Sequence, residues 1–172
     1  MADAGQPRVL KQKVCILGAS GVGKTSLVRR FVKSIFDDKY LSTIGVKIEK
    51  KSVRIDHTEV LLNIWDVAGE EEFFQIPKSY YAAAAGYLLV VDGTRPDSLT
   101  TALEIKQRVV EITPDAPWLA LLNKADLTDA WQLNDATLAP LTAQKIPTFE
   151  TSALDGRNVE ESFTALARIL AS

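Results

Sequence analysis

Continuous apolar runs alternate with segments of helical periodicity along this chain, and no other feature constrains the fold as much. The runs YLLVVD (Tyr87–Asp92) and WLALLN (Trp118–Asn123) are apolar on both faces, as expected for strands covered on both sides of a sheet. Between them, Ala102, Ile105 and Val109 recur at helical spacing. Two strands joined by a helix in this way predict a parallel β-α-β unit.

The rest of the chain extends this pattern. The run KVCILG ends at Gly18 and precedes an amphipathic helix, and two apolar segments on either side of DHTE (56–59) indicate a hairpin. PTFETS (147–152) is a last short strand, and Asn158 and Glu161 are spaced as a capping pair at the start of the closing helix. We predict a three-layer α/β fold: a six-stranded, mostly parallel sheet with one antiparallel edge strand and helices on both faces.

Length and composition favour one cytoplasmic domain. We expect a flexible N-terminus over residues 1–10 and a single domain over 11–172, because 172 residues suffice for one core. A net charge of −2 gives no basic field for nucleic acid, and the lone Cys15 is expected in the core. The sequence shows no signal peptide and no lipidation cysteine at its end, so an unanchored monomer is expected.

The segment GASGVGKT (18–25), directly after the first strand, matches the phosphate-loop pattern G-x-x-x-x-G-K-[ST]. Glycines let consecutive backbone N–H groups turn inward around an anion, and the next helix adds its positive dipole end. Lys24 supplies a charge for the β- and γ-phosphates, and the Thr25 hydroxyl is a Mg²⁺ ligand. A plain glycine-rich turn is the alternative, but a strand precedes this segment and a helix follows it, as a phosphate loop requires. We therefore predict a P-loop NTPase fold.

Two further residues stand after the third strand. The Asp66 carboxylate suits a role directed at Mg²⁺ and exerted through a water molecule. Gly69 offers a backbone N–H that can reach a γ-phosphate with no side chain in the way. Alone, this D-x-x-G pattern is weak, since an aspartate at a strand end is often only a helix cap.

The ends of the fifth and sixth strands indicate a guanine base. In NKAD (123–126), the Asp126 carboxylate can accept both N–H groups of a guanine edge, whereas adenine offers no such pair. The Lys124 stem can lie over the base or ribose, and in TSAL (151–154) the N–H of Ala153 can donate to the guanine carbonyl. A P-loop ATPase or small-molecule kinase is disfavoured for this reason.

Together these motifs resemble the small GTPases of the Ras superfamily, and most of all the Rab branch. The resemblance covers about Lys13 to Leu170 and also includes YLSTIGVKI (40–48) and WDVAG (65–69). It implies a switch that binds GTP and GDP with Mg²⁺ and hydrolyses GTP slowly. It also implies that loops near 36–48 and 66–82 present different conformations to effectors, exchange factors and GAPs.

The resemblance assigns roles to individual residues. Thr43 matches a threonine that ligates Mg²⁺ and senses the γ-phosphate, Phe36 an aromatic that packs on guanine, and Tyr40 a tyrosine that closes over the phosphates. The implied nucleotide-binding residues are Gly18, Ser20, Gly21, Val22, Gly23, Lys24, Thr25, Ser26, Phe36, Tyr40, Thr43, Gly69, Asn123, Lys124, Asp126, Ser152, Ala153 and Leu154. The implied metal ligands are Thr25, Thr43 and Asp66, and the implied catalytic residues are Lys24, Thr43, Gly69 and Glu70.

Some positions follow the Rab pattern and others depart from it. Trp65 and Tyr80 match two of three aromatics by which Rab proteins read the switch state, but Ile48 stands where the third is a phenylalanine. Leu154 replaces the lysine of the S-A-K motif. The sequence ends at Ser172 without the prenylated tail usual in Rab proteins. Either such a tail was removed or the protein never docks by lipid, as in tail-less or prokaryotic relatives, and we favour the second alternative slightly.

The most consequential departure is Glu70. The family has a glutamine there, which orients the attacking water and donates to a phosphoryl oxygen. An ionised glutamate can only accept hydrogen bonds, although it can still position water. We expect a slow but active hydrolase, with a non-hydrolysing pseudo-GTPase as the alternative. No arginine stands at a matched position for a cis arginine finger, so a partner is expected to supply one.

Overall fold

The computed structural model describes residues 5–33, 46–67 and 77–172. The strands in these ranges are β1 (Arg8–Gly18), β2 (Val46–Ile55), β3 (Thr58–Val67), β4 (Gly86–Asp92), β5 (Trp118–Asn123) and β6 (Thr148–Glu150). The α-helices are α1 (Lys24–Lys33), α2 (Asp97–Val110), α3 (Asp135–Ala143) and α4 (Val159–Ala171). Short 3₁₀ turns lie at Lys78–Tyr80 and Thr128–Ala130.

One six-stranded sheet forms the middle layer, in the order β2-β3-β1-β4-β5-β6. The edge strand β2 pairs antiparallel with β3, and all the other neighbours are parallel. The predicted hairpin is therefore present, with Asp56 in its turn at φ 52°. These observations confirm the predicted mostly parallel sheet with one antiparallel edge.

Helices cover both faces of the sheet, which confirms the three-layer prediction. Val14 and Ile16 of β1 face a core shared with α1 and α4, where Phe31 and Phe163 stack with ring centroids 4.1 Å apart. Cys15 and Leu17 face the opposite core, which is shared with α2 and α3. Since strand side chains alternate between faces, one continuous apolar strand supplies both cores. Burial raises the pKa of the Cys15 thiol to about 12, as expected for an inert core residue.

Three local features differ from the sequence-based expectations. β1 begins at Arg8, within the stretch predicted as flexible, because residues 8–10 pair with β3. Asn158 precedes α4 in a left-handed conformation and makes no side-chain cap, so the predicted capping pair is wrong; its amide donates instead to the Glu150 carbonyl, at 2.9 Å. Helix α3 has no counterpart among the predicted elements; it contains Pro140, a residue that disfavours a helix interior.

The sheet brings the carboxyl ends of β1, β3, β4, β5 and β6 to one edge, because these strands run parallel to one another. Ligands of such sheets bind beyond these carboxyl ends. Among the helices of the described ranges, none has both the length and the apolar character needed to cross a bilayer.

Candidate nucleotide-binding site

The loop between β1 and α1 adopts a conformation that depends on glycine. Gly23 has φ +101°, and a Cβ added there would lie 2.3 Å from Nδ2 of Asn123. Gly18 has φ +157°, and its added Cβ would lie 2.5 Å from the carbonyl oxygen of Val90. The chain therefore curls tightly against the ends of β4 and β5, as an anion-binding loop requires.

Lys24, the first residue of α1, is turned back into this loop. Its ammonium donates to the carbonyl oxygens of Gly18 and Ala19, both at 2.9 Å, and the residue is 7% exposed. Burial lowers the pKa of Lys24 to about 8; the negative charge of Asp66 opposes this shift and the positive charge of Arg95 adds to it. An ammonium has three N–H donors and these contacts use two, so the group also suits a phosphate oxygen.

Thr25 and Asp66 lie face to face, as the sequence predicted for two residues of one metal site. The Thr25 hydroxyl donates to Oδ2 of Asp66 at 2.5 Å, and Asp66 is 1% exposed at the end of β3. A hydroxyl and a carboxylate are the hard oxygen groups that Mg²⁺ prefers. These two residues would suit a Mg²⁺ ion, and its other ligands would be water and phosphate oxygens.

The loop after β5 is bonded directly to the phosphate loop. Nδ2 of Asn123 donates to the Val22 carbonyl at 2.9 Å, and Nζ of Lys124 donates to the Gly21 carbonyl at 3.0 Å. Asn123 is 2% exposed, and Lys124 has φ 68°, a left-handed conformation. The NKAD segment therefore holds the phosphate loop in place through two of its side chains.

The loop after β6 orients the carboxylate of the NKAD segment. The Ser152 hydroxyl donates to Oδ1 of Asp126 at 2.8 Å, and the Ala125 N–H donates to the Thr151 carbonyl at 2.9 Å. Each carboxylate oxygen has two lone pairs, so Asp126 can still accept from two further donors. Ala153 follows at 5% exposure, and Leu154 projects outward at 51% exposure.

Comparison with known proteins places this arrangement in a family. The model of the Ras family matches residues 13–172. This chain belongs to the Ras family. It is 39% identical over 161 residues to GTP-binding protein YPT1 of Saccharomyces cerevisiae, covering 91% of this chain and 77% of that protein.

Two further relatives carry Rab names. Ras-related protein Rab-1D of Dictyostelium discoideum is 40% identical over 162 residues, with coverage of 91% of this chain and 78% of that protein. Ras-related protein Rab-1 of Theileria annulata is 36% identical over 161 residues, with coverage of 92% and 73%. Within the Ras family this chain is therefore Rab-like, which confirms the resemblance inferred from the motifs.

Five predicted site residues of this Ras-family chain lie outside the described ranges: Phe36, Tyr40, Thr43, Gly69 and Glu70. The other predicted site residues converge at the carboxyl edge of the sheet, in the loops after β1, β5 and β6 and at the end of β3.

The two aromatics that match the Rab pattern, Trp65 and Tyr80, are in contact. Trp65 and Tyr80 meet edge to face with ring centroids 5.7 Å apart, and the Lys13 ammonium lies 3.7 Å from the centroid of a Trp65 ring. Ile48 is the cross-strand neighbour of Trp65 and is 47% exposed. Ile48, which replaces the family's phenylalanine, therefore lies beside Trp65 on the same face of the sheet.

One group of residues at the site was missed in the sequence. Asp92, at the end of β4, is fully buried and binds Lys124 at 2.7 Å and Arg95 at 3.1 Å. Its position in the sequence could have indicated a role at the site, because a carboxylate that ends an apolar strand lies at the same sheet edge as the recognised motifs.

Proposed function

We propose that this chain is a guanine-nucleotide-dependent switch, formed by a single G domain, that binds GTP and GDP with Mg²⁺ and hydrolyses GTP slowly. The observation that carries the proposal is the direct bonding of the NKAD segment to the phosphate loop, through Asn123 to Val22 and Lys124 to Gly21. This bonding joins a base-reading carboxylate and a phosphate cradle into one site, as a nucleotide requires.

The metal part of the proposal rests on Thr25 and Asp66. In the part of the chain that the structure describes, no group of three His, Cys, Asp or Glu side chains lies close enough to hold a metal. Mg²⁺ commonly takes one or two protein ligands together with water and substrate phosphates, so this donor set suits it. We assign Thr43 as a third ligand on the strength of its motif.

Hydrolysis is assigned to residues around the γ-phosphate position. Lys24 would stabilise charge that develops on the phosphoryl oxygens, and the Gly69 N–H would bind the γ-phosphate. Glu70 would orient the attacking water as an acceptor, without the donor that glutamine provides. Because glutamate lacks the hydrogen bond that glutamine donates to the phosphoryl oxygen, we expect slow turnover of GTP.

Partners are assigned to the loops near 36–48 and 66–82. These loops would be ordered by the γ-phosphate and released after hydrolysis, which alters the surface that effectors, exchange factors and GAPs contact. The paired rings of Trp65 and Tyr80 belong to this surface. Ile48 in place of an aromatic would change which effectors fit.

The direct test is to identify the nucleotide that co-purifies with the chain by mass spectrometry and then to measure single-turnover hydrolysis of GTP with Mg²⁺. Bound GDP and a slow but finite rate are expected. ATP that displaces GDP as well as GTP does would contradict guanine specificity. GTP retained intact over many hours would instead support the non-hydrolysing interaction module.

The role of Glu70 is tested in the same assay. We expect Glu70→Gln to hydrolyse GTP faster than the unmodified chain, because glutamine restores a donor to the phosphoryl oxygen. Glu70→Ala is expected to be slower, since it removes the acceptor that positions water. A Glu70→Ala rate equal to that of the unmodified chain would exclude Glu70 from intrinsic hydrolysis.

Nucleotide affinity is expected to fall as pH rises through 8. Without nucleotide, burial holds the pKa of Lys24 at about 8, and bound phosphates would raise it, so binding above this pH must take up a proton. The charge is fully present well below pH 8 and is lost above it. Between pH 7 and 8.5 the dissociation constant for GDP should rise by about fourfold, measured by fluorescence titration.

The control for this titration is Lys24→Met, which has no group to ionise. It should bind GDP weakly at both pH values, with no change between them. An unmodified chain whose affinity is flat from pH 7 to 8.5 would show that the Lys24 ammonium keeps its proton without a ligand.

A further inference from the structure

We propose that Arg95, held by the buried carboxylate of Asp92, is a positioning residue that sets the orientation of one peptide group in the phosphate loop. The inference rests on the proposed function, because it concerns how that loop meets a guanine nucleotide. Arg95 lies between β4 and α2, outside every nucleotide motif in the sequence. It contacts the Ser20 carbonyl, whereas Asn123 of the NKAD segment contacts the Val22 carbonyl.

The contacts form a short chain from the sheet to the loop. Nε of Arg95 donates to Oδ2 of Asp92 at 3.1 Å, and Nη2 of the same guanidinium donates to the Ser20 carbonyl at 2.9 Å. Lys124 also bridges Asp92 and the phosphate loop, at the next loop residue. Its Nζ lies 2.7 Å from Oδ2 of Asp92 and donates to the Gly21 carbonyl at 3.0 Å. One buried carboxylate therefore anchors two cations, and each cation holds one of two consecutive loop carbonyls.

Holding a carbonyl also directs the N–H of the same peptide group. A trans peptide is planar, and its C=O and N–H point in opposite directions. When Arg95 draws the Ser20 carbonyl toward Asp92, the Gly21 N–H is turned the other way. Backbone N–H groups turned together in this manner form an anion-binding nest. Arg95 would therefore act on bound phosphate through the Gly21 N–H, in addition to the effect of its own charge on the loop.

Asp92 is suited to this anchoring because it remains ionised. Burial alone would raise its pKa, but hydrogen bonds from Lys124, Thr94 and Arg95 outweigh burial and hold the pKa below its ordinary value. The backbone N–H and the hydroxyl of Thr94 donate to Oδ1 at 2.9 and 2.6 Å. Because both of its oxygens are bonded, the Asp92 carboxylate has a fixed position, and Lys124 still pairs with it when Arg95 is removed.

The segment that carries Arg95 is itself fixed from the other side. The Gly93 N–H donates to the Asn123 carbonyl at 2.9 Å, and the Gln132 N–H donates to the Gly93 carbonyl at 2.8 Å. The Trp131 ring lies so close to Gly93 that an added Cβ would be 1.9 Å from Cζ3 of the ring. The guanidinium is thus presented from a rigid turn, as positioning requires.

The test measures release of a fluorescent GDP analogue from the full chain. Arg95→Ala should release it about five- to twentyfold faster than the unmodified chain, since one hydrogen bond to a charged donor is lost. Arg95→Lys should fall between them, because one ammonium lacks the fork that bridges Asp92 and Ser20. Arg54→Ala is the matched control: Arg54 is exposed on β2, and its guanidinium donates to the turn carbonyl of Asp56 at 3.2 Å. Its release rate should equal that of the unmodified chain.

A second readout separates positioning from a general loss of stability. In ¹⁵N-labelled, GDP-loaded protein, the Gly21 amide proton should move upfield in Arg95→Ala and stay in place in Arg54→Ala. Release from Arg95→Ala at the rate of Arg54→Ala, or faster release with an unmoved Gly21 amide, would overturn the inference while the proposed function stands. If Arg95→Ala does not fold, Arg95→Lys carries the same two measurements. An unmodified chain that binds no GDP would overturn the proposed function and this inference with it.

Discussion

Asp126→Asn is expected to bind GDP at least about 100-fold more weakly than the unmodified chain, because two charge-assisted hydrogen bonds to the guanine edge are lost. The asparagine amide offers one acceptor and one donor where guanine presents two donors. Xanthine has a carbonyl in place of the exocyclic amine, so it matches the amide. The variant should therefore bind xanthosine diphosphate (XDP) more tightly than GDP. Competition binding with the two nucleotides measures this reversal of base preference.

Asp129→Asn is the matched control for this substitution. Ser152 donates to Asp126, whereas Asp129 is an exposed carboxylate in the 3₁₀ turn that follows the NKAD segment. Its loss changes the net charge by the same amount and should leave the GDP affinity unchanged. If Asp126→Asn binds GDP within about threefold of the unmodified chain, the carboxylate does not read the base.

Most of the sheet and much of the candidate site could be predicted because both depend on local sequence. The short apolar runs at Tyr87–Asp92 and Trp118–Asn123 are typical of strands buried on both faces, and both form strands as predicted. A phosphate loop needs particular residue types at a particular spacing, so the segment GASGVGKT can be recognised as a candidate from the sequence alone. The NKAD segment indicates a base-binding role only because it follows a strand, and the alternating pattern of strands and helices also predicts that strand.

Helix α3 shows where local signals conflict. Pro140 lies within the helix and argues against one. The favourable signal was Asn134, which forms a reciprocal capping box with Thr137. Buried Leu141 then packs the helix against the core that contains Cys15 and Leu17. Tertiary packing and a good cap outweighed the proline.

The Asp92 and Arg95 contacts could not be derived from the sequence for a different reason. Arg95 and Ser20 are 75 positions apart, and their meeting depends on the side-by-side packing of β1 and β4. Topology predicts that the two loops are neighbours, but not which side chain crosses between them. Every residue has a backbone carbonyl, so the acceptor of such a hydrogen bond cannot be recognised from its residue type. Such contacts become visible only when the coordinates of both loops are known.

Gly23→Ala is expected to weaken GDP binding by at least about 30-fold, because backbone strain and the loss of one loop contact together amount to about 2 kcal/mol or more. The strain arises because φ is +101° at this residue, a conformation that alanine rarely adopts. The lost contact is that of Asn123, because the new Cβ would stand 2.3 Å from its Nδ2, which now donates to the Val22 carbonyl.

The contribution of Asn123 can be separated from that of backbone strain. Gly5→Ala is the control for glycine replacement, since nothing lies within 4 Å of an added Cβ there, and it should bind GDP normally. In a double-mutant cycle, Gly23→Ala and Asn123→Ala should be strongly non-additive, because each alone already removes the bond to Val22. Additive losses would mean that the alanine at position 23 leaves Asn123 in place. The effect would then belong to the backbone alone, and the bond between the NKAD segment and the phosphate loop would survive the substitution.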